Sequence, residues 1–368
     1  MSLREARIDL GSISANTSAM RQRVGADHVM AVVKAQAYGH GAIQSARAAI
    51  DGGADWLGVV DLDEAFELRD AGLRHPVLTW LHAPDVNFTP AIEAGIDLGI
   101  NSLDQLEQAA AAGTARAVAN VHLKVDTGLG RNGIPAERAE RVFSRAAELE
   151  RLGRLRVRGL FSHLSGTSDA DDADQAARFS KHLAAARSFG LDPELVHLHA
   201  SAGALRMPLG ECTMVRLGIT IYGLSPLEGV TSAELGLRPA MRLSAEVVAT
   251  KTVPAGHGVS YGYSYRTQQP TTLALVPLGY ADGIPRAAGN RAPVSINGYR
   301  ATISGMVAMD QFVVDMGDHP VRVGDRAVLF GDQNAGDPPV EEWAEACETI
   351  NYEIVTRIGG RTRRSFVQ

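Results

Sequence analysis

From the N-terminus to about residue 225 the chain repeats one unit: a short apolar run, a turn, an amphipathic stretch, then the next apolar run. The apolar runs are Met30–Val33, Trp56–Val60, Pro76–Leu81, Ile96–Ile100, Val121–Val125, Val157–Phe161, Leu195–His199 and Met214–Tyr222. Between them lie helical patterns such as Ala42–Ile50, apolar at i, i+4, i+7 and i+8, and Ser102–Ala109, which opens on a good N-cap. Eight strands alternating with helices predict parallel βα units, and eight is the number that closes a (β/α)8 barrel. An open doubly wound sheet is the alternative, although it seldom needs eight strands so evenly spaced. Beyond about residue 230 the helical period disappears until Val340–Ala346. In its place come Met241–Val248, Thr272–Val276, Ala292–Ile296, Gln311–Asp315 and Arg326–Phe330, with turn signals at Ile296-Asn-Gly-Tyr299 and Gly331-Asp332. The expected fold is α/β: a barrel domain over residues 1–236 and a mostly-β C-terminal domain over residues 237–368.

Composition agrees with a folded two-domain chain: 368 residues, 45% hydrophobic and 21% charged, are ample for a sizeable core. Lys+Arg 36 against Asp+Glu 42 leaves a net charge of -6, which offers no electrostatic footprint for nucleic acid or anionic lipid. Cys212 and Cys347 are too few and too far apart for a disulfide framework or a thiolate metal site. No apolar run approaches the ~20 residues of a membrane span. The first residues, Met1-Ser-Leu-Arg-Glu-Ala-Arg7, carry charge where a signal peptide needs an apolar core. These features lead us to expect a soluble, cytoplasmic protein with neither a membrane nor a nucleic acid as partner.

In a (β/α)8 barrel the chemistry gathers at the C-terminal ends of the strands. The first strand ends in Lys34, within Ala31-Val-Val-Lys-Ala-Gln-Ala-Tyr-Gly-His-Gly41. A lysine tipping an apolar strand is partly desolvated, which lowers its pKa and suits its amine to a Schiff base; the plainer reading is a lysine that snorkels to solvent. The fifth strand leads into Leu123-Lys-Val-Asp-Thr-Gly-Leu-Gly-Arg-Asn-Gly133, where Arg131 can offer a fork to a carboxylate or phenolate. The sixth delivers His163, which taken singly is more often a satisfied core histidine than a catalyst. The seventh ends in Ala200-Ser-Ala-Gly203 entering a helix, and the eighth carries Arg216 followed by Gly218 and Ile219. The loops after strands seven and eight are the usual phosphate site of this barrel. An amine beside a phosphate cradle suggests pyridoxal 5'-phosphate. His197 and His199 alternate on a strand without a third ligand nearby, so no metal is expected; His75 and His82 are read as surface residues.

In these motifs the chain resembles alanine racemases, two-domain pyridoxal-phosphate enzymes, over essentially its whole length and with the motifs in order. The resemblance implies that Lys34 is the Schiff-base lysine and Tyr38 a phosphate ligand. Arg131 would hold the cofactor phenolate and the substrate carboxylate, and Lys124 would be the lysine that in this family is often carbamylated and orients that arginine. Val215-Arg-Leu-Gly-Ile-Thr-Ile-Tyr-Gly223 implies Arg216 at the pyridine nitrogen, with Gly218 and Ile219 at the phosphate beside Ser201. Gly258-Val-Ser-Tyr-Gly262 implies Tyr261 as the second base. Pro277-Leu-Gly-Tyr-Ala-Asp-Gly283 resembles the gate segment, here with Tyr280, and Gly305-Met-Val-Ala-Met-Asp-Gln311 puts Met309 at the substrate carboxylate. Asn351-Tyr-Glu353 supplies Tyr352, near the phosphate.

Three positions depart from the family pattern. Gln36 stands where asparagine or aspartate is common, Ala200 where asparagine is usual, and Ala308 where cysteine is frequent; the last two bear on substrate breadth. The implied reaction is interconversion of L- and D-alanine, with Lys34 serving the D-face and Tyr261 the L-face. A chain of hydrogen bonds Arg216–His163–Tyr261 would stabilise the phenolate. The family also implies a homodimer whose sites are each built from two chains, and a role in supplying D-alanine for peptidoglycan. The rival readings are a serine or broad-specificity racemase, a barrel-type decarboxylase (which would place an acid where Arg216 stands), a metal-assisted lyase, and a non-catalytic pyridoxal-phosphate homeostasis protein.

Overall fold

Runs of Val, Ile and Leu that are buried on both faces favour parallel strands covered by helices. In the computed structural model, which describes residues 2–114 and 116–368, the eight predicted runs form such strands. They are β1 (His28–Val32), β2 (Trp56–Val59), β3 (Val77–Thr79), β4 (Ile96–Ile100), β5 (Ala119–Lys124), β6 (Leu155–Phe161), β7 (Leu195–His197) and β8 (Met214–Leu217). Each pairs in parallel with the next, for example Leu57 with Val77 and Leu98 with Val121, and β8 returns to β1 through His28 with Met214. The last gap, between β7 and β8, is closed by Thr213 N donating to Val196 O at 2.9 Å and Arg216 N to His199 O at 3.0 Å. The barrel is therefore complete.

Its interior packs Met30, Trp56, Leu78, Leu195 and Met214 into one cluster, against which Trp80 leans. The covering helices follow their sequence signals. Ser102 Oγ accepts from Gln105 N at 3.2 Å, the cap expected there. Helix Ala136–Arg151 buries Ala139, Val142, Phe143, Ala146 and Leu149, the spacing of one face. These strands and helices belong to one compact unit, Ser14–Ala35 with Ala46–Ile221.

The other unit gathers the residues up to Ile13, Gln36–Ser45 and Tyr222–Gln368. Its main sheet runs in the order Tyr299–Thr302, Pro293–Ile296, Arg326–Phe330, Met241–Glu246, Arg4–Asp9, Arg363–Val367. The Asn-Gly turn behaves as its chemistry requires: Asn297 and Gly298 have φ of 53° and 79°, joining two antiparallel strands. Trp343, on the helix Val340–Ala346, is fully buried and donates Nε1–H to Leu329 O at 2.6 Å and Pro293 O at 3.0 Å. A second sheet holds Ala249–Val253, Thr271–Val276 and Phe312–Asp315. The terminal strands Arg4–Asp9 and Arg363–Val367, which pair in parallel, escaped the sequence reading. In the first, Ala6 and Ile8 are buried and alternate with Glu5, Arg7 and Asp9, so the apolar signal is only two residues deep.

Candidate active site

At the C-terminal mouth of the barrel, four cationic side chains and an imidazole act on one another. The Lys34 amine is lowered by burial and by Arg131, against the opposing pull of Glu64. Lys124, the last residue of β5, falls to about 8 through burial and the charges of Arg216 and Arg131. His163 falls to about 3, by burial and then by Arg216, Arg131, Lys124 and Lys34. Asp126 Oδ1 accepts from Gly128 N at 2.9 Å and Gly130 N at 3.2 Å, folding the loop that presents Arg131.

Arg216 is the fixed point of this cluster. Its NH1 donates to His197 O at 2.8 Å and His197 Nδ1 at 3.1 Å. Its NH2 reaches Ser162 O at 2.7 Å, Leu198 O at 3.0 Å and His163 Nδ1 at 3.2 Å. A guanidinium has only donors, so both imidazoles must accept at Nδ1 and carry their proton on Nε2. The order propagates: His197 Nε2–H donates to His122 Nδ1 at 2.9 Å, and His122 Nε2–H to the Asp97 carboxylate at 3.2 Å. Arg158 NH1 closes the line on Asp97 at 3.0 Å. The β5–β6 register shifts at Val121/His122, and a Cβ on Gly159 would lie 2.2 Å from His122 Nδ1; glycine there makes room for the ring.

The segment after Lys34 has unusual geometry. Ala35, Gln36, Ala37 and Tyr38 all have φ between 52° and 54°, a full left-handed turn built without glycine. Each such residue costs about 1–2 kcal/mol relative to the right-handed form. At the far end of the turn His40 Nδ1–H donates to Ala37 O and Tyr38 O at 3.0 Å, and Gly41 N donates to Gln36 O at 2.7 Å. Gly39 has φ 83°, and a Cβ there would sit 2.3 Å from Val355 O. The Tyr38 ring lies 5.0 Å from that of Tyr222 and 6.1 Å from that of Tyr352, and burial pushes the Tyr352 phenol up to about 12.

Beyond β7 and β8, Ser201 Oγ accepts from Gly218 N at 3.0 Å and meets Thr220 Oγ1 at 3.0 Å, tying the two loops together. Helix Ser201–Arg206 has Ala200 as its N-cap residue, whose side chain makes no cap, so no side chain of the cap residue satisfies its first amides. The donor set as a whole, with its amine, donor-only guanidinium and uncapped amides, fits a phosphorylated aldehyde whose anionic groups need neutralising.

The other unit interlocks three loops. Ser260 Oγ donates to Met306 O at 2.7 Å; Tyr280 N and Ala281 N donate to Ala308 O and Met309 O at 3.1 and 3.0 Å. Asp282, held by Arg361 at 3.1 Å, accepts from Gly279 N at 3.0 Å and sets the Tyr280 turn. The result gathers Tyr261, Tyr280 and Met309, with exposures of 72%, 41% and 53%.

Profiles of known families match both parts of the chain: "Alanine racemase, N-terminal domain" over residues 8–226 and "Alanine racemase, C-terminal domain" over residues 240–366. The alanine racemase of Thermobifida fusca is 49% identical over 369 residues, covering 99% of this chain and 98% of the relative. The chain belongs to the alanine racemase family. Among solved structures of that family, the alanine racemase of D-cycloserine-producing Streptomyces lavendulae superposes with a TM-score of 0.98 at 44% identity, covering 100% of this chain and 98% of that one. The Bacillus anthracis alanine racemase with bound L-Ala-P gives 0.89 at 32% identity, covering 100% and 96%.

Of the residues expected from sequence, Lys34, Lys124, Arg131, His163, Arg216, Ser201, Gly218 and Ile219 lie in the barrel unit. Tyr38, Tyr261, Tyr280, Met309 and Tyr352 lie in the other. His82, expected at the surface, is instead packed edge-on against Phe88 at 5.0 Å, with Nε2 on Gly99 O at 3.2 Å. Sequence reasoning passed over Asp97, His122, Thr220 and Glu64. Asp97 had a signal, a lone polar residue in a strand otherwise apolar, whereas His122 alternates with Asn120 and Lys124 along β5 and Glu64 looks like ordinary helix capping.

Four imidazoles, His40 and His197 buried and His82 and His163 half-buried, give the fold a defined acid response. Burial holds His163 at about 3, His40 and His82 at about 4, and His197 well below its ordinary 6.5. Near pH 6 the unfolded chain binds protons at these rings and the folded chain does not. Stability is therefore full above pH 6.5 and is lost as pH falls towards 4, by about 1.4 kcal/mol per pH unit for each ring. Thermal midpoints should be flat above pH 7 and fall steeply below 6, and His82→Asn should reduce the slope by about one proton; a flat profile down to pH 4.5 contradicts this.

Proposed function

We propose that this protein interconverts L- and D-alanine with pyridoxal 5'-phosphate, using Lys34 and Tyr261 as two bases on opposite faces of the substrate. Membership of the alanine racemase family supports the reading, and the observation that carries it is the desolvated Lys34 amine in the field of Arg131 and Lys124. When bound, the pyridoxal group supplies the carbonyl that captures the amino acid nitrogen and the ring that draws electrons from Cα. Arg131 is the proposed fork for the substrate carboxylate, and Met309 and Tyr280 complete the substrate side. Tyr38, Ser201, Gly218, Ile219 and Tyr352 are assigned to the phosphate. Lys124 as a carbamate would orient Arg131; its lowered pKa leaves a fraction of the amine neutral and able to react with carbon dioxide.

Racemisation takes a proton from one face of Cα and returns one to the other. Burial and the charge of Arg131 lower the Lys34 amine, which favours the neutral form in which Nζ can accept a proton. A phenol with a pKa of about 10 is a poor base unless its phenolate is stabilised. His163, accepting at Nδ1 from Arg216, offers an Nε2–H donor, which we assign to the phenolate of Tyr261 contributed by a second copy of the chain. A cytoplasmic homodimer feeding peptidoglycan synthesis is the proposed setting; among the described residues no helix is long and apolar enough to cross a membrane.

The direct test is Cα–H exchange in deuterated water with chiral product analysis. L-alanine should exchange rapidly and yield D-alanine, with L-serine much slower. Comparable rates on both make the protein a broad-specificity racemase, and bound cofactor without exchange returns the homeostasis reading.

Arg216 controls selectivity. Having no acceptor, Arg216 would hold a ring nitrogen in contact with it unprotonated and so would limit how strongly the bound group draws electrons. Arg216→Glu should raise transamination relative to racemisation, whereas an unchanged ratio of the two rates removes this account.

Shared sites predict a specific mixing result. Lys34→Ala and Tyr261→Phe are each expected to be inactive. Refolded together in equal amounts they should regain about a quarter of wild-type activity, since half the dimers are mixed and each mixed dimer has one intact site. No recovery, or full activity in a sedimenting monomer, excludes the shared site.

A further inference from the structure

We propose that Glu64 is the positioning residue for Lys34, its carboxylate clamping the backbone just beyond the lysine to the end of the neighbouring strand. Oε1 accepts from Ala35 N at 2.6 Å and Oε2 from Val60 N at 2.8 Å. Glu64 lies on the helix Leu62–Asp70, three residues after the N-cap Asp61, whose side chain accepts from Glu64 N at 3.0 Å. That is the spacing of a capping box, in which the glutamate returns to the amide of the cap residue itself. Here it reaches one residue further back, to Val60. Its second oxygen goes to Ala35, a contact that helix capping does not require.

Ala35 opens the left-handed turn, so its amide is where that turn joins the barrel. His40 and Gly41 fasten the far end. Glu64 fastens the near end, one peptide from the lysine, and thereby fixes where the side chain starts its reach into the site. Both partners are N–H donors, so only a carboxylate satisfies them together. Glutamine keeps one bond and turns its own N–H towards the other donor, and aspartate is one methylene too short to span them. The groups acting on the Lys34 amine are burial and Arg131, which lower it, and Glu64, which raises it; Lys124 and His163 lie within the same field. Glu64 thus restrains the lysine and counters the cations around it.

The inference rests on the assignment of Lys34 as the Schiff-base lysine, and the experiment separates the two. In cofactor-free protein, the pH dependence of Lys34 acetylation by acetic anhydride, read by peptide mass, gives the titration of its amine. Glu64→Gln should lower that midpoint by about one pH unit and cut kcat by about 10- to 100-fold. Glu64→Asp keeps the charge and loses the span; its amine should titrate as in wild type while kcat still falls at least about tenfold. Melting curves check that both variants are folded. Wild-type titration and kcat within twofold in Glu64→Gln, with only a lowered melting point, would reduce Glu64 to a helix cap and overturn the proposal. Borohydride trapping of the loaded enzyme followed by peptide mapping tests the other premise. Label away from Lys34 refutes the lysine's catalytic assignment, while the amine titration still decides whether Glu64 governs it.

Discussion

A buried guanidinium can only give hydrogen bonds, and this asymmetry orders the interior of the barrel. Arg216 forces His197 and His163 to accept at Nδ1, and through His197 it fixes His122, whose remaining proton can go only to Asp97. The line runs from a cation to an anion with each ring held in a single tautomer. The four side chains from Asp97 to Arg216 are all at least 95% buried. Removing one leaves the next with an unmet donor or acceptor in a dry environment, at about 1–3 kcal/mol for each stranded group. The rigidity of Arg216 at the ligand end is therefore held by residues of four different strands, β4, β5, β7 and β8.

The second constraint is strain. Four consecutive left-handed residues without glycine survive only where their surroundings over-determine them. Here the lysine motif supplies its own restraints: His40 stacks on Tyr222 at 4.5 Å and bonds two carbonyls of the turn, and Gly39 and Gly41 take φ values no other residue adopts easily. The letters Tyr-Gly-His-Gly after the lysine are thus first a geometric specification. Their chemical role follows from the direction in which the turn delivers Lys34 and Tyr38.

How much of this could be read from the sequence depends on how local the cause is. The eight barrel strands were legible because each centres on a short apolar run and the runs recur at even spacing between helical patterns. The Asn-Gly hairpin and the Ser102 cap were legible because their chemistry acts across two or three positions. The strands Arg4–Asp9 and Arg363–Val367 were not, since they share a sheet through pairing of residues about 358 apart, Glu5 with Arg363. Lys34, Arg131 and Arg216 could be marked as candidates by position, in or just beyond the ends of barrel strands. The line from Asp97 to Arg216 was not legible, although Asp97 stands alone among apolar neighbours; joining it to His122 needs the shifted register and the glycine opposite. The half-burial of His82 was not legible because it depends on Phe88, six residues on, packing edge-on against the ring.

The cation cluster explains why a ligand belongs in this barrel. Arg131 lowers Lys34, the charges of Arg216, Arg131 and Lys34 lower Lys124, and all four cations lower His163, with Glu64 opposing at Lys34 and Asp126 at Lys124. Like charges brought together in a partly desolvated mouth destabilise the folded chain, and the chain relieves this by letting amines lose protons. A bound group bearing phosphate and phenolate oxygens relieves the same repulsion without that loss, so the folded state gains RT ln(1 + [L]/Kd) from it. The two routes act on the same side chains: whatever neutralises Arg131 also returns basicity to Lys34. The Lys34 amine is thus tuned by the occupancy of its neighbours, and binding and basicity rise together.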